Sequence, residues 1–241
     1  MAFFKGLMDK LIPGSKPEPP PPVSIPADLP KIKAGAAAEV CQEFQPGPEA
    51  AKLLQPEQTP SQYLQALQDN QMPQESVNFL AHGLPDQESV AWAAKSSEMA
   101  GPPANPADAK ALDAAKAWVK APNPANQKAA AEAAAQTDMK SSAALAAQGA
   151  AWANPAEGAP RLTPKATSGA VLLAGGETIK KPDVPIPEAP PPPKMPEIPT
   201  APNAPVEPPP LSAEQKQEMM NTYNPFVQQG VDIASGKAGL V

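Results

Sequence analysis

The chain has 241 residues, a formal net charge of −6 and 37 prolines, and aromatic residues make up only 4% of it. The length fits one domain with extensions, and the scarcity of aromatic residues argues against a β-sandwich. The negative charge argues against nucleic acid as a partner, because phosphate binding requires a basic patch. A single cysteine excludes an intrachain disulfide and is compatible with the cytoplasmic location that we expect.

The first segment, residues 1–13, is predicted to be an amphipathic helix that binds a partner. At about 100° per residue its apolar side chains fill one half of the helical wheel. They are Phe3, Phe4, Leu7, Met8, Leu11 and Ile12. A helix this short is marginally stable alone in water, so we expect it to form on an apolar surface. Two lysines and one aspartate on its polar face attract anionic lipid only weakly, which favours a protein partner over a membrane. The alternative is that it packs on its own domain.

A proline-rich arm, residues 14–33, follows this helix. Seven of the residues from 16 to 30 are proline, a composition typical of an extended polyproline-II segment without a core. At about 3.1 Å per residue this stretch reaches about 45 Å. The arm would therefore hold the first helix away from the domain, unless it lies along the domain surface.

Residues 34–177 are predicted to form a compact, alanine-rich bundle of paired helices joined by short proline loops, so the fold class is all-α. Helix starts are marked by Thr59-Pro60, Asn105-Pro106 and Thr163-Pro164, where a capping side chain precedes a proline that tolerates the first helical position. Gly175-Gly176 is predicted to end the last helix of this domain.

A second proline-rich segment, residues 178–210, is predicted to be a linker. It holds fourteen prolines between residues 182 and 210 and reads as a semi-rigid spacer. The final segment, residues 211–241, is predicted to be a helix that starts at Ser212 with a capping box and packs its apolar face on the domain. Pro225 is predicted to kink or split that helix.

The residues that usually carry chemistry are scarce. His82 is the only histidine and is interpreted as a helix-end residue that interacts with the last carbonyl groups. Cys41 lies on an apolar helix face and is interpreted as a small core residue. One cysteine and one histidine cannot supply the ligands of a typical zinc site, and no phosphate-binding loop or dinucleotide fingerprint occurs. We therefore expect no catalytic residue, no cofactor and no metal.

Trp92, Trp118 and Trp152 lie on three different predicted helices. We favour the interpretation that each fills part of a core that alanine alone would pack thinly. The alternative is an aromatic groove for a proline-rich ligand, since polyproline segments dock on such grooves.

Six blocks carry a resemblance to a known family. They are AEVCQEF (38–44), TPSQYLQAL (59–67), VNFLAHGLPDQESVAWAA (77–94), ALDAAKAWV (111–119), RLTPKATSGAVLLAGG (161–176) and FVQQGVDIASG (226–236). In order and spacing over about 34–236 they resemble an uncharacterised bacterial all-helical domain family of unknown function. Members are often encoded near type VI secretion (contractile injection) genes. The resemblance implies an accessory role in such an apparatus and no catalytic residues. The chain departs from the family at Ala91, where a second tryptophan is usual, and in its longer linker.

The leading hypothesis is therefore a non-enzymatic scaffold or adaptor. Its helical domain would bind one protein, and the amphipathic helix would bind another at the end of the proline arm, since tethering raises effective concentration. The alternative is a peripheral membrane protein anchored by residues 1–12.

Overall fold

The computed structural model describes residues 22–179 and 212–240. All regular secondary structure in these two ranges is helical, which confirms the predicted all-α fold. The ten helices of these ranges are α1 (Ala37–Cys41), α2 (Pro48–Leu53), α3 (Pro60–Asp69), α4 (Pro73–Gly83), α5 (Asp86–Ala100), α6 (Pro106–Lys120), α7 (Pro124–Ala134), α8 (Ser142–Ala151), α9 (Thr163–Thr178) and α10 (Ala213–Ala234). The predicted partner-binding residues from Phe3 to Ile12 lie outside the described residues.

Three of these ten helices, α3, α6 and α7, begin where a capping side chain precedes a proline. Thr59 and Gln62 form a capping box at α3, in which each side chain bonds the backbone of the other. Asn105 caps α6 by accepting a hydrogen bond from the backbone N–H of Asp108. Six of these ten helices carry proline in the first turn, where its missing N–H costs no helical hydrogen bond. The prolines of the domain therefore separate the helices without breaking them.

Three helices, α5, α8 and α9, pack against one another at the centre of the domain. Helices α6 and α7 cover α8, while α4 and α10 cover α5 and α9. One core cluster lies around α4 and α10 and contains large side chains such as Tyr63, Phe79, Trp92 and Ile233. The other lies around α8 and is mostly alanine packed on Trp118. Alanine allows these helix backbones to approach closely, and Trp118 is the one aromatic side chain in this cluster.

Helix α9 does not end at Gly175-Gly176, as the sequence predicted, but continues to Thr178. A Cβ atom at residue 175 would overlap the ring of Tyr223 on α10. The hydroxyl group of Tyr223 donates to the carbonyl of Leu172 at 3.3 Å, which holds the ring in that place. Gly175 therefore permits close packing of two helices and does not stop one. Thr163 also differs from its predicted capping role: it is fully buried and donates to the carbonyl of Gly149 at 3.4 Å.

Helix α10 runs through Pro225 as one element, so the predicted split does not occur. Pro225 is exposed, so its ring lies on the solvent side of the helix. The opposite face buries Phe226, Val227, Val231 and Ile233. Trp92 on α5 donates its indole N–H to the carbonyl of Phe226 at 2.9 Å. The packing of α10 thus joins the end of the chain to the centre of the domain.

The described part of the proline arm, residues 22–33, lies along the domain surface. Val23, Leu29 and Ile32 are buried in the same cluster as α10. Gln228 accepts from the backbone N–H of Ser24 at 2.7 Å and donates to its carbonyl at 3.4 Å. The extended backbone at Ser24 has no hydrogen-bond partner in its own segment, so the side chain of Gln228 bonds both its N–H and its carbonyl. The core of the domain therefore begins before residue 34.

None of the helices in the described ranges is both long enough and apolar enough to span a bilayer.

Candidate functional site

A cleft of about 810 Å³ opens where α4 ends and α5 begins. Its other walls come from α1, from Trp118 near the end of α6 and from Arg161 in the loop before α9. The volume lies within the roughly 300–1,000 Å³ usual for ligand sites. This cleft is therefore the leading candidate for a binding site.

Arg161 joins the walls of the cleft by bonding four acceptors. Its Nε donates to Asp86 Oδ1 at 2.7 Å, and its Nη1 donates to Glu43 Oε2 at 3.1 Å and to the carbonyl of His82 at 2.9 Å. Its Nη2 donates to the carbonyl of Leu84. A guanidinium has only five N–H groups, so nearly all of this one is used within the protein. Arg161 therefore fixes the site and has little left to offer a ligand.

The local chain geometry explains why an arginine is needed there. Helix α4 ends at Gly83, and the last carbonyls of a helix have no partner within it. Asp86 lies in the first turn of α5, where a carboxylate suits the positive end of the helix. The second oxygen of Asp86 accepts from the backbone N–H of Asn154 at 2.9 Å. One cation thus bonds the end of α4, the start of α5 and, through Asp86, the loop that contains Arg161.

His82 does not supply the positive charge at the end of α4. The ring is buried and stacks on Phe44, with centroids 4.8 Å apart. Burial lowers the pKa of His82; the charge of Arg161 acts in the same direction, and Glu43 opposes it. The Nδ1 atom lies 3.7 Å from Glu43 Oε2, too far for a hydrogen bond. His82 is therefore a neutral, packed side chain, and Arg161 is the cation that meets the helix end.

The lowered pKa of His82 predicts a pH-dependent stability. Well above pH 6.5, the ordinary pKa of histidine, neither the folded nor the unfolded state binds the proton. Below it the unfolded chain binds the proton more readily than the folded one, so stability falls as pH falls, by at most about 1.4 kcal/mol per pH unit. Urea unfolding at pH values from 7 down to 5 should show this slope, since the chain has no other histidine.

The variant His82→Phe keeps an aromatic ring against Phe44 but cannot bind a proton. Its free energy of unfolding should change much less over the same pH range. An equal slope in both proteins would contradict the interpretation, because carboxylates titrate mainly at lower pH.

The three tryptophans are not gathered into one groove. Trp92 is fully buried in the cluster under α10, and Trp118 is 1% exposed in the alanine cluster around α8. Trp152, at the end of α8, is 41% exposed. Their helices turn them toward different parts of the domain. Only Trp118 reaches the cleft, and its buried indole N–H has no acceptor among the described residues.

The charges and walls of the cleft are suited to binding. Glu39 and Lys33 line it and have no ion-pair partner within the part of the chain that the structure describes. Glu88 is paired with Lys31 of the arm at 3.2 Å. Among the same residues, no group of three or more histidine, cysteine, aspartate or glutamate side chains is placed to hold a metal ion. The cleft thus offers exposed charges and apolar walls around a fixed frame, and the indole N–H of Trp118 lies buried beside it.

Sequence reasoning missed Arg161. Its partners are 75 and 118 residues away in the sequence, so no local motif marks it. A signal was nevertheless present, because Arg161 is the only arginine in a chain whose other basic side chains, apart from His82, are lysines. The single arginine of such a chain is a candidate for a contact with several acceptors, because a guanidinium group has a forked donor geometry that lysine lacks.

Residues 63–184 match the profile of a family of unknown function (DUF6931), just over half of the 241-residue chain. The chain belongs to this family. No curated protein and no protein of solved structure matches it. The DUF6931 match contains Arg161, Asp86, His82 and Trp118, so most of the cleft belongs to the family domain.

The DUF6931 match is narrower than the 34–236 range over which the sequence blocks were compared. The arm, α1, α2, α10 and the sequence block 226–236 lie outside it. These outer elements nevertheless pack on the family domain, and Glu43 in the segment after α1 bonds Arg161.

Proposed function

We propose that this protein is a non-enzymatic scaffold or adaptor. Its helical domain binds one partner in the cleft beside Arg161, and the amphipathic helix predicted at residues 3–12 binds another. The arm between them lies partly on the domain, since residues 22–33 are packed there. The two binding sites would therefore be joined within one chain by residues 13–21 and the packed part of the arm.

The unpartnered indole N–H of Trp118 is the observation that carries the proposal. A buried indole N–H usually has a hydrogen-bond acceptor, and that of Trp118 has none among the described residues. A carbonyl group of a partner lying in the cleft would supply one once the ring turns its buried Nε1 atom toward the cleft. The apolar walls include Leu84, Pro122 and Pro155, which suits an extended, proline-containing peptide.

The proposal extends to a cytoplasmic accessory role in a bacterial contractile injection apparatus. Its support is the resemblance of the six sequence blocks to a family often encoded beside such genes. The single cysteine, Cys41, is buried and unpaired, which is compatible with the cytoplasm.

Two variants test the two binding sites separately. Full-length protein would be used to capture partners from cells that produce it, with the bound proteins quantified by mass spectrometry. Trp118→Phe removes the indole N–H and should lose the partner of the cleft. Leu7→Asp places a charge on the apolar face of the first helix and should lose the other partner. Lys10→Gln, on the polar face, should keep both.

Thermal unfolding of each variant controls for loss of structure. Capture of the same proteins by folded Trp118→Phe would contradict the role of the cleft. Binding of full-length protein to anionic liposomes that is lost with Leu7→Asp and weakened by Lys10→Gln and by salt would instead favour the peripheral membrane alternative.

A further inference from the structure

A second cavity, of about 470 Å³, lies at the other end of α5. It is enclosed by the loop at 101–105, the start of α6, the start of α8 and Glu177 on α9. None of its lining residues borders the cleft beside Arg161. The cavity is therefore a separate candidate site, and a ligand bound in it would be additional to the partners of the proposed function.

Asp108 contributes a buried carboxylate oxygen without a donor. The residue is 3% exposed and lines the cavity. Its Oδ2 atom accepts from the side-chain amide of Asn105 at 2.8 Å, while its Oδ1 atom has no partner in the described ranges. A buried charged oxygen left unpaired is costly. The positive end of α6 offsets only part of that cost, so a donor from a ligand would be favourable.

The remaining wall offers many acceptors and few free donors. Pro102 and Pro103 have carbonyl oxygens but no N–H. Glu177 already accepts from the backbone N–H of Ser142 at 2.8 Å and from its hydroxyl at 2.7 Å. The two donors of Ser142 are therefore used inside the protein.

The formal charge of the lining is negative. Three carboxylates line the cavity, those of Asp108, Asp138 and Glu177, and the one basic side chain in the lining is Lys140. Lys140 lies 3.8 Å from Asp138, and both are exposed at the entrance. Three negative charges and one positive charge leave a net charge of −2 around the cavity.

We propose that this cavity binds a small organic cation with several N–H donors, an alkylammonium or guanidinium group. Such a group would bond the proline carbonyls and the carboxylate of Asp108, whose buried Oδ1 atom would turn toward the cavity on binding. The volume suits a group of this size. The cation could be a free diamine or a lysine or arginine side chain of a partner, and the two sources share this chemistry.

Isothermal titration calorimetry of the full chain tests the proposal with three probes: putrescine, Nα-acetyl-lysine amide and tetramethylammonium. The first two should bind, and the third should bind at least about tenfold more weakly because it has no N–H donor. Tighter binding of putrescine than of the lysine amide identifies a free diamine as the source, and the reverse order identifies a side chain.

Variants show whether the binding belongs to this cavity. Asp108→Asn should weaken putrescine binding at least about tenfold, as expected for losing a charged hydrogen bond. Asp138→Lys changes an exposed residue at the entrance and should weaken putrescine binding several-fold without disturbing the fold. If Asp108→Asn is poorly folded, this variant alone shows whether putrescine binds in the cavity. Glu132→Gln removes an exposed charge on α7, outside the cavity, and should have no effect.

Three results would overturn the proposal. The first is no heat of binding with either N–H probe at millimolar concentration. The second is equally tight binding of tetramethylammonium, which would mean charge attraction alone. The third is an equal loss of binding in Glu132→Gln and Asp138→Lys, which would mean that only the overall charge matters.

Discussion

Replacing Arg161 with leucine is expected to lower the free energy of unfolding by about 3 kcal/mol. The change leaves the carbonyls of His82 and Leu84 without their donor and leaves the Asp86 carboxylate, whose side chain is 11% exposed, without its ion pair. The Arg161 side chain is itself 26% exposed, which keeps the loss toward the lower end of the range for a buried charge pair. Urea unfolding followed by circular dichroism measures it.

Two further variants separate the geometry of Arg161 from its charge. Arg161→Lys keeps the charge, but one ammonium group cannot reach four acceptors set around a planar fork. This variant should therefore lose about half as much unfolding free energy as Arg161→Leu. Lys116→Leu removes the cation of an exposed pair with Glu98, whose side chains are 33% and 45% exposed. That change should cost less than about 1 kcal/mol. An Arg161→Leu protein as stable as Lys116→Leu would show that the four bonds do not hold the domain together.

Helix starts could be predicted from the sequence because their chemistry is local. Thr59 caps α3, and Ser212 forms a capping box with Gln215 at α10, each within four residues of chain and both as expected. The same holds for Asn105 at α6. A side chain that bonds a backbone three residues away needs no information from the rest of the fold. These signals, repeated along the chain, were enough to predict an all-helical fold.

Helix ends were predicted less well because distant contacts decide them. Gly175-Gly176 has the sequence of a helix stop, yet α9 passes through it because Tyr223, far along the chain, packs against Gly175. Pro225 has the sequence of a break, yet α10 continues because the residues after it are buried against α5. A glycine or proline inside a helix costs about 1–3 kcal/mol relative to alanine. The free energy gained by packing an apolar face can exceed that cost.

The candidate site depends almost wholly on contacts between distant residues. Trp118 and Trp152 look alike in the sequence, but one is 1% exposed beside the cleft and the other is 41% exposed. The rotation of α6 and α8 about their axes decides which tryptophan borders the cleft. The alanine-rich sequences of these two helices indicate that rotation only weakly. The sequence could therefore predict the helices but not the surface that they form together.

Replacing Gly230 with alanine is expected to lower the free energy of unfolding by about 2 kcal/mol. A Cβ atom there would lie 2.8 Å from Cε2 and 2.9 Å from Cζ2 of Trp92, and 3.1 Å from Cδ1 of Leu80. Both neighbours are fully buried. The ring of Trp92 is also held by its bond to the carbonyl of Phe226, so it has little freedom to move aside. Helix α10 must then shift away from α5, although alanine favours the helix itself by about 1 kcal/mol.

Gly176→Ala is the matched control for this change because it makes the same substitution inside a helix without the contact. A Cβ atom at residue 176 would meet nothing within 4 Å, so only the gain in helix propensity remains, and stability should rise by about 0.5–1 kcal/mol. Thermal unfolding of the two variants should therefore move in opposite directions from the parent protein. If both variants were stabilised, α10 would not be held against Trp92 as described, because the helical gain would then be the only effect at either position.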